Sequence, residues 1–248
     1  EDYDEYWMLI TRYKNALGTL RKYVSKDLYN WEDAGDFYQN TVGGAYNMEC
    51  PTLIRFKGYW YLSFSEQGYH RVTRYRYKKN LDDPWIVPEV DHFDDEGFYA
   101  GKITGDEDRL FLYGWCGTKR RSRDTGSLDW AGNLIGHELF QKENGELGVK
   151  PIKEIEEALA TRYPHKSLTN KEVINSVVYN NTGFGSIAFE PFKSDRYARI
   201  SFDYTQQSRS GSAGIALNVE GDSDAGTLVF ELNAADQEIG VYNNVKSI

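Results

Sequence analysis

The sequence predicts an all-β protein in which blades of a β-propeller are followed by a β-sandwich. Short apolar and aromatic runs recur at hairpin spacing as far as about residue 140, with turn-forming residues between them. Aromatic residues make up 15% of the chain, and its 23 glycines outnumber its 6 prolines, a composition that suits strands and tight turns. From about residue 176 the runs alternate between Gly, Ser and Asp turns, a pattern typical of a sandwich.

The first part of the chain repeats a loose unit of a hairpin and a further strand. A tryptophan closes the first two units, Trp31 in one and Trp85 in the other, and Lys57-Gly58 is the clearest hairpin turn. Such repetition predicts propeller blades. The predicted strands are 6–10, 20–24, 52–56, 59–64, 71–77, 99–104 and 110–115.

Three segments follow from these patterns: propeller blades over 1–160, a polar linker over 161–175 and a β-sandwich over 176–248. A helix is predicted over 151–160, because Pro151 suits a first turn and apolar residues then recur on one face. The predicted sandwich strands are 187–189, 198–204, 214–219 and 227–232.

The two ends of the chain suggest that it is a piece of a longer protein. It has no initiator Met and reaches a strand almost at once, so we expect earlier residues to be missing. Too few sandwich strands are visible, so we expect the last domain to be incomplete as well. An extracellular or periplasmic location stays open on this interpretation.

Composition argues against several classes of function. A formal net charge of −9 does not favour binding to nucleic-acid phosphates. The sequence contains no run of 18 apolar residues, so no membrane span is predicted. Two cysteines, Cys50 and Cys116, are too few for a disulfide scaffold, and both a bridge and free thiols stay open. The histidines show no ligand spacing, so neither a metal nor a cofactor is predicted. They are His70, His92, His137 and His165.

Glu49 lies just before a predicted strand, in the stretch NMECPTLIRF. Glycoside hydrolysis needs two carboxylates flanking the bond, one as proton donor and the other as nucleophile or base. The neighbours Met48, Cys50 and Pro51 would partly remove the Glu49 carboxyl from water, as suits a proton donor. A surface charge at a strand start is the alternative interpretation of the same residue.

Five stretches, in one order, resemble glycoside hydrolase family 32, which includes invertases, levanases and inulinases. MECPTL resembles the Glu-Cys-Pro motif of this family, and the stretch before it resembles the family's segment ending in Asp-Leu-x-x-Trp. The remaining stretches resemble the Phe-Tyr-Ala, Gly-Trp and Trp-Ala-Gly segments that follow. The five stretches are 18–32, 48–53, 96–103, 112–116 and 129–155.

The resemblance implies a five-bladed propeller with a C-terminal β-sandwich that hydrolyses β-fructosides such as sucrose, levan or inulin with retention. It makes Glu49 the acid/base and puts Cys50 beside it in the sugar pocket. Tyr99 would lie close to Glu49 and hydrogen-bond either it or the sugar. Trp130 would form an apolar wall, or else be buried within a blade.

The chain also departs from the family pattern. The family's nucleophile is an Asp in an Asn-Asp-Pro segment, and an Arg-Asp-Pro segment also precedes the Glu-Cys-Pro motif, but neither stands upstream of Glu49. The Asp-Asp-Pro at 82–84 comes too late and is interpreted as a turn, and the usual Pro-Arg-Glu-Leu is GHEL at 136–139. A retaining mechanism needs two carboxylates about 5 Å apart. We therefore expect a hydrolase as the parent protein, and an inactive isolated chain that lacks the first blades.

Two other interpretations stay open. The first is a five-bladed glycosidase of the arabinanase or xylosidase type, in which a Glu also precedes a strand, usually as Glu-Gly-Pro. The second is a non-catalytic carbohydrate-binding module, whose aromatic residues only stack on sugars. Release of fructose, of arabinose or xylose, or of no sugar at all would separate the three.

Overall fold

A computed structural model describes most of the chain up to residue 159 and shorter stretches beyond it. The chain divides into two compact units, Glu1–Tyr163 and Pro164–Ile248. The predicted linker over 161–175 lies outside the described residues, and the predicted domain boundaries stay predictions. The structure describes residues 4–41, 47–66, 70–94, 97–119, 127–159, 200–201, 212–217, 228–233 and 235–243, with backbone alone at 119, 128–131 and 243.

The first sheet contains three antiparallel strands in the order β1-β2-β3. A two-residue turn joins β1 to β2, and its residues Asn15 and Ala16 have φ of 53° and 62°. Two successive left-handed residues form the kind of turn whose twist matches that of the flanking strands. The predicted runs at 6–10 and 20–24 are confirmed as parts of longer strands. These strands are β1 (Tyr6–Lys14), β2 (Leu17–Ser25) and β3 (Glu32–Gln39).

The second sheet contains four strands in the order β4-β5-β6-β7. The predicted hairpin turn at Lys57-Gly58 is confirmed, with φ of 43° and 84° at its two residues. The Asp-Asp-Pro at 82–84 lies in a turn, where the Asp83 N–H donates to the Asn80 carbonyl at 3.1 Å. The strands are β4 (Met48–Phe56), β5 (Tyr59–Glu66), β6 (Val72–Lys78) and β7 (His92–Phe93).

The third sheet also contains four strands, in the order β11-β10-β9-β8. Its predicted runs at 99–104 and 110–115 are confirmed, whereas its last two strands were not predicted. The unpredicted β10 spans 14 residues and pairs with strands on both sides. The strands are β8 (Phe98–Gly105), β9 (Leu110–Lys119), β10 (Leu128–Gln141) and β11 (Leu147–Lys150).

The second sheet is buried on both of its faces. Towards the third sheet it contributes to a large, mostly aromatic cluster, and towards the first sheet to a smaller one formed by Leu20, Met48, Leu62 and Phe64. Every residue of β6 is buried, including three with positive charges. The larger cluster contains Phe56, Tyr61, Tyr75, Tyr77, Phe93, Phe98, Ile103, Leu110, Leu112, Leu139 and Leu147.

Buried charges of both signs lie beside the smaller cluster and form a network. Arg74 pairs with Glu66 and Asp91, and Asp91 also accepts from Arg76 at 2.8 Å. Arg76 donates to the Tyr38 hydroxyl of the first sheet at 2.8 Å. We call Glu66, Arg74, Arg76 and Asp91 the buried charge network.

The predicted helix is confirmed with shorter bounds, as α1 (Lys153–Ala158). Ile152 precedes it and is 8% exposed. Arg109 binds Glu154 of α1 and Glu138 of β10 through the two ends of its guanidinium, at 2.7 and 2.6 Å. Among the described residues, no helix has the length and apolar character needed to cross a membrane.

The second unit contains, within its described residues, an antiparallel sheet in the order β12-β13-β14. Two of these strands match predicted sandwich strands, and the third was not predicted. The predicted strands at 187–189 and 198–204 fall outside the described residues, apart from 200 and 201. The strands are β12 (Ser212–Leu217), β13 (Leu228–Asn233) and β14 (Glu238–Asn243).

The all-β class predicted from the sequence is confirmed, since the described elements are strands except for α1. The first unit's sheets are antiparallel and have three or four strands each, as propeller blades do. Three such sheets are described, so the count of five blades stays a prediction.

Candidate active site

Glu49 is the second residue of β4 and lies at a break in the strand's register. Glu49 pairs with Ser65 and Thr52 pairs with Ser63, so the two residues between them form a bulge. Within it, Cys50 has a φ of 50°, a left-handed conformation rare for a residue with a side chain. A bulge redirects the side chains around it, so β4 presents Glu49 differently from the regular strand that follows.

Tyr99 reaches Glu49 from the next sheet. Its hydroxyl donates to Glu49 Oε2 at 2.8 Å, and the Asn47 side-chain amide donates to Oε1 at 2.9 Å. Tyr99 is the second residue of β8 and is followed by a bulge in which Ala100 has a φ of 54°. Two bulges on neighbouring sheets therefore bring together residues that are 50 positions apart.

The environment of Tyr99 keeps its hydroxyl protonated. Burial raises the pKa of Tyr99 far above its usual value, and the hydrogen bond to Glu49 and the negative charge of Glu49 raise it further. The nearby Arg71 acts in the opposite direction and lowers this pKa. The Tyr99 hydroxyl thus keeps its proton at physiological pH, and in this structure it donates that proton to Glu49.

A lysine fastens the two bulges to each other. Lys102 ends the bulge of β8, and its Nζ donates to the Pro51 carbonyl at 2.7 Å. Pro51 lies within the bulge of β4, so this contact joins the backbone of one bulge to a side chain of the other. Because Pro also fixes its own φ, the chain beside Glu49 has little freedom to rearrange.

The other predicted site residues are placed as follows. Cys50 follows Glu49 directly and is half-buried, and neither it nor Cys116 forms a disulfide. Trp130 belongs to β10, and its side chain lies outside the described residues. The structure therefore brings Tyr99 and Cys50 to Glu49, while the predicted role of Trp130 stays a prediction.

Sequence reasoning missed three residues beside Glu49 and Tyr99. Asn47 was not singled out, although it stands only two positions from Glu49. Trp115 pairs with Tyr99 in register, and their rings meet edge to face with centroids 5.7 Å apart. Arg71 lies immediately before β6, with its guanidinium 5.6 Å from the centroid of the Tyr99 ring. Strand pairing could have pointed to Trp115, but no local signal pointed to Arg71.

Among the described residues, no three His, Cys, Asp or Glu side chains come together in a way that could hold a metal ion. Two of the four histidines pair with aspartates instead. His137 Nε2 lies 2.6 Å from Asp94, and His92 lies 3.5 Å from Asp91. The site itself contains the Glu49 carboxyl group with two hydrogen-bond donors, Asn47 and Tyr99.

The fold and this site together define a class of protein. Glycosidases use carboxyl groups in catalysis, and this site holds the Glu49 carboxyl between two hydrogen-bond donors at the edge of antiparallel sheets. The sequence profile of the glycosyl hydrolases family 32 N-terminal domain matches residues 1–151. The chain belongs to glycosyl hydrolase family 32.

Individual relatives agree with the family assignment. A sucrose-6-phosphate hydrolase of Staphylococcus xylosus is 29% identical over 165 residues, a match that covers 61% of this chain and 33% of that protein. A second sucrose-6-phosphate hydrolase, from Vibrio alginolyticus, is 29% identical over 189 residues, covering 69% of this chain and 37% of that protein. The chain thus spans about a third of the length of these curated relatives.

A solved structure, the Bombyx mori GH32 β-fructofuranosidase BmSUC1, superposes on this chain with a TM-score of 0.51. The two chains are 20% identical, and the match covers 67% of this chain and 39% of the other. At this identity the likeness concerns the fold, a β-propeller followed by a β-sandwich.

Proposed function

We propose that this chain supplies the acid/base of an enzyme that hydrolyses β-fructosides with retention of configuration. The observation that carries the proposal is the placement of Glu49, whose two oxygens accept hydrogen bonds from Asn47 and Tyr99 at the edge of propeller-type sheets. Membership of family 32 supports the same chemistry. The substrate class is sucrose, levan or inulin, and the names of the curated relatives add phosphorylated sucrose.

The proposed reaction has two steps. In the first, Glu49 gives a proton to the glycosidic oxygen while the bond from that oxygen to the anomeric carbon breaks and a second carboxylate bonds to the carbon. In the second, Glu49 takes a proton from water while the water oxygen bonds to the anomeric carbon and the second carboxylate leaves.

The contacts of Glu49 fit the state between these two steps. An ionised carboxylate only accepts hydrogen bonds, and both oxygens of Glu49 have a donor. Tyr99 and Asn47 therefore stabilise the negative charge that Glu49 acquires when it has given up its proton. When Glu49 is protonated, the Tyr99 hydroxyl can rotate and accept, since a phenol does both.

The proposal assigns the remaining predicted residues to sugar binding. Cys50 lines the pocket beside Glu49, and Trp130 forms an apolar wall. Tyr99 contacts both Glu49 and the sugar. The catalytic module is 1–160, the linker 161–175 and the β-sandwich 176–248. Because the nucleophile motif is absent upstream of Glu49, the second carboxylate comes from outside this chain, and the chain alone is inactive.

The experiment uses the natural gene product that carries this chain and its Glu49→Gln variant. With sucrose, whose leaving group needs a proton, the variant should lose about 10²–10⁴-fold in kcat/KM. With an activated aryl β-fructoside the loss should be far smaller, because this leaving group departs without a proton. Added azide should then accelerate turnover, since it attacks the glycosyl-enzyme without needing a base.

A matched control is Glu32→Gln, which removes an exposed carboxylate at the start of β3 and should leave both substrates unaffected. Equal losses on both substrates in Glu49→Gln would refute the acid/base role. Release of arabinose or xylose instead of fructose would indicate the arabinanase or xylosidase type, and sugar binding without turnover would indicate a binding module. Fructose release by the 248-residue chain alone, lost in Glu49→Gln, would show that it needs no further carboxylate.

A further inference from the structure

A cation lies against the ring of Tyr99, which donates to Glu49, and against the neighbouring ring of Trp115. The Arg71 guanidinium carbon is 5.6 Å from the centroid of the Tyr99 ring and 5.4 Å from that of Trp115. These rings meet edge to face at 5.7 Å. The three groups therefore form a closed triangle, and one of its corners is the tyrosine that donates to Glu49.

The backbone around this triangle is held in an uncommon conformation at three points. Cys50, Ala100 and Arg71 have φ of 50°, 54° and 52°, all in the left-handed region that residues with a Cβ rarely adopt. Cys50 and Ala100 adjoin Glu49 and Tyr99, and both lie within strands instead of at hairpin tips. Such conformations persist where the surrounding structure enforces them, and they cluster at functional sites.

The position of the Tyr99 hydroxyl depends on what holds its ring. A tyrosine side chain has two main torsions, so its hydroxyl is placed only as well as its ring is packed. The Trp115 ring meets this ring edge to face and is one of its packing partners. A guanidinium is planar and attracted to aromatic faces, so Arg71 can restrain the Tyr99 and Trp115 rings together.

We propose that Arg71 is a positioning residue that holds the Tyr99 ring in the orientation in which its hydroxyl donates to Glu49. This inference rests on the proposed acid/base role of Glu49 for its catalytic consequence, but the contact itself can be tested without catalysis. The charge of Arg71 also acts on the pair, because it lowers the pKa of Tyr99 against the larger effect of burial.

The first test is structural and uses the 248-residue chain. A buried hydroxyl that donates to a carboxylate gives a downfield proton signal in NMR spectra, here assigned by its loss in Tyr99→Phe. In Arg71→Met this proton should exchange with water at least about 10-fold faster, because the ring is less restrained. Arg55→Met is the control, since it removes an arginine 6.0 Å from the Trp60 ring, on β4.

Arg71→Lys guards against the case in which the methionine variant fails to fold. It keeps the charge but not the planar group that contacts two rings, so it should also release the hydroxyl proton. An unchanged exchange rate in folded Arg71→Met or Arg71→Lys would overturn the proposal.

The second test is kinetic and uses the natural gene product. Arg71→Met should lower kcat/KM for sucrose by about 10–100-fold, the cost of misplacing a catalytic group, and lower it much less for an activated aryl fructoside. Equal losses on both substrates would mean a merely structural role, and a loss confined to KM for a phosphorylated sugar would mean a substrate contact. Either result would overturn the proposal. If the gene product shows no hydrolysis that depends on Glu49, the proposed function fails, and the exchange experiment still decides whether Arg71 positions Tyr99.

Discussion

The second sheet is buried between two neighbours, and its two interfaces are built from different chemistry. Towards the third sheet the contact is aromatic: Tyr75 stacks on Phe93 with centroids 4.7 Å apart, and the Tyr61 hydroxyl donates to the Gly145 carbonyl at 2.7 Å. Towards the first sheet, four of the described apolar residues form the buried cluster, and the buried charge network lies beside them.

This difference separates two ways of holding sheets together. The aromatic interface depends on filled volume, because each ring removes a large area from water. The charged interface depends on every buried charge keeping its partners, because a buried charge without a partner is costly. Arg76 is 0% exposed and donates to Asp91, to Tyr38 and to the backbone carbonyl of Tyr75. Removing one partner from the buried charge network should therefore lower the free energy of unfolding more than removing one contact from the aromatic interface.

The largest effect is expected for Asp91→Ala. This change removes the carboxylate that Arg74 and Arg76 share, and leaves two buried cations with a single anionic partner, Glu66. The free energy of unfolding should fall by about 3–5 kcal/mol, measured by urea denaturation. Asp91→Asn keeps the shape without the charge, so a small loss in that variant would show that geometry, and not charge, matters at this interface.

A smaller loss is expected when volume is removed from the aromatic interface. Leu112→Ala should leave a cavity among packed rings and lower the free energy of unfolding by about 2–3 kcal/mol. Leu134→Ala is the control, because Leu134 lies on the neighbouring strand and is 76% exposed. Similar losses in the two variants would contradict the view that this interface depends on filled volume.

The tyrosines of the aromatic interface make it sensitive to alkaline pH. Burial, the main cause, raises the pKa of both Tyr61 and Tyr75 to about 12, from an ordinary value near 10. A raised folded-state pKa of this kind gives stability that is present below about pH 10 and lost as pH rises towards 12. The melting temperature should fall over that range.

Tyr75→Phe tests this pH dependence. The variant should lose about 1–2 kcal/mol at neutral pH, because the Leu147 backbone loses its partner, and should show a shallower alkaline loss. If the stability of the variant falls with alkaline pH as steeply as that of the unmodified chain, groups other than Tyr75 cause the alkaline loss of stability.

The smallest effect is expected for the exposed charges of the first sheet, which contrast with the buried network. Hydrogen bonds from Lys14 and Arg21 lower the pKa of Asp36 to about 2. A lowered folded-state pKa gives stability that is present above about pH 4 and lost as pH falls towards 2. Asp36→Asn should therefore flatten the acid end of the stability profile slightly, and salt should weaken the difference. If added salt does not change the effect of Asp36→Asn on the pH dependence of stability, the interaction is less exposed to solvent than the structure indicates.

The parts of the fold predicted from the sequence are those fixed by local chemistry. The Lys57-Gly58 hairpin was predicted because glycine accepts a positive φ and apolar runs flank it. β10 was missed because its residues mix Gly, His and Asn with apolar side chains, and its strand character comes from partners on both sides. The buried charge network gave no signal either, since arginines in β6 would be assigned to a solvent face.

The candidate site was predicted in part for a similar reason. Glu49, Cys50 and Tyr99 were predicted from motifs that resemble those of a family. Such motifs indicate which residues belong to the site but not how the residues are arranged in space. The bulges that bring Glu49 and Tyr99 together have Cys50 and Ala100 in the left-handed positions, where a glycine would have signalled the bend. Arg71 acts through rings of the third sheet, and no sequence spacing reveals a contact between sheets.

The hydrogen bond between Glu49 and Tyr99 has a consequence for how the protein assembles. Its two residues belong to different sheets, 50 positions apart, so neither hairpin can form it alone. The pair exists only after both sheets have formed and docked, late in any folding sequence that begins with local contacts. Partial opening of either sheet would also break it while most of the chain stayed native. A loss of proton-donor function would then precede global unfolding, and activity would report the docking of two sheets sooner than circular dichroism does.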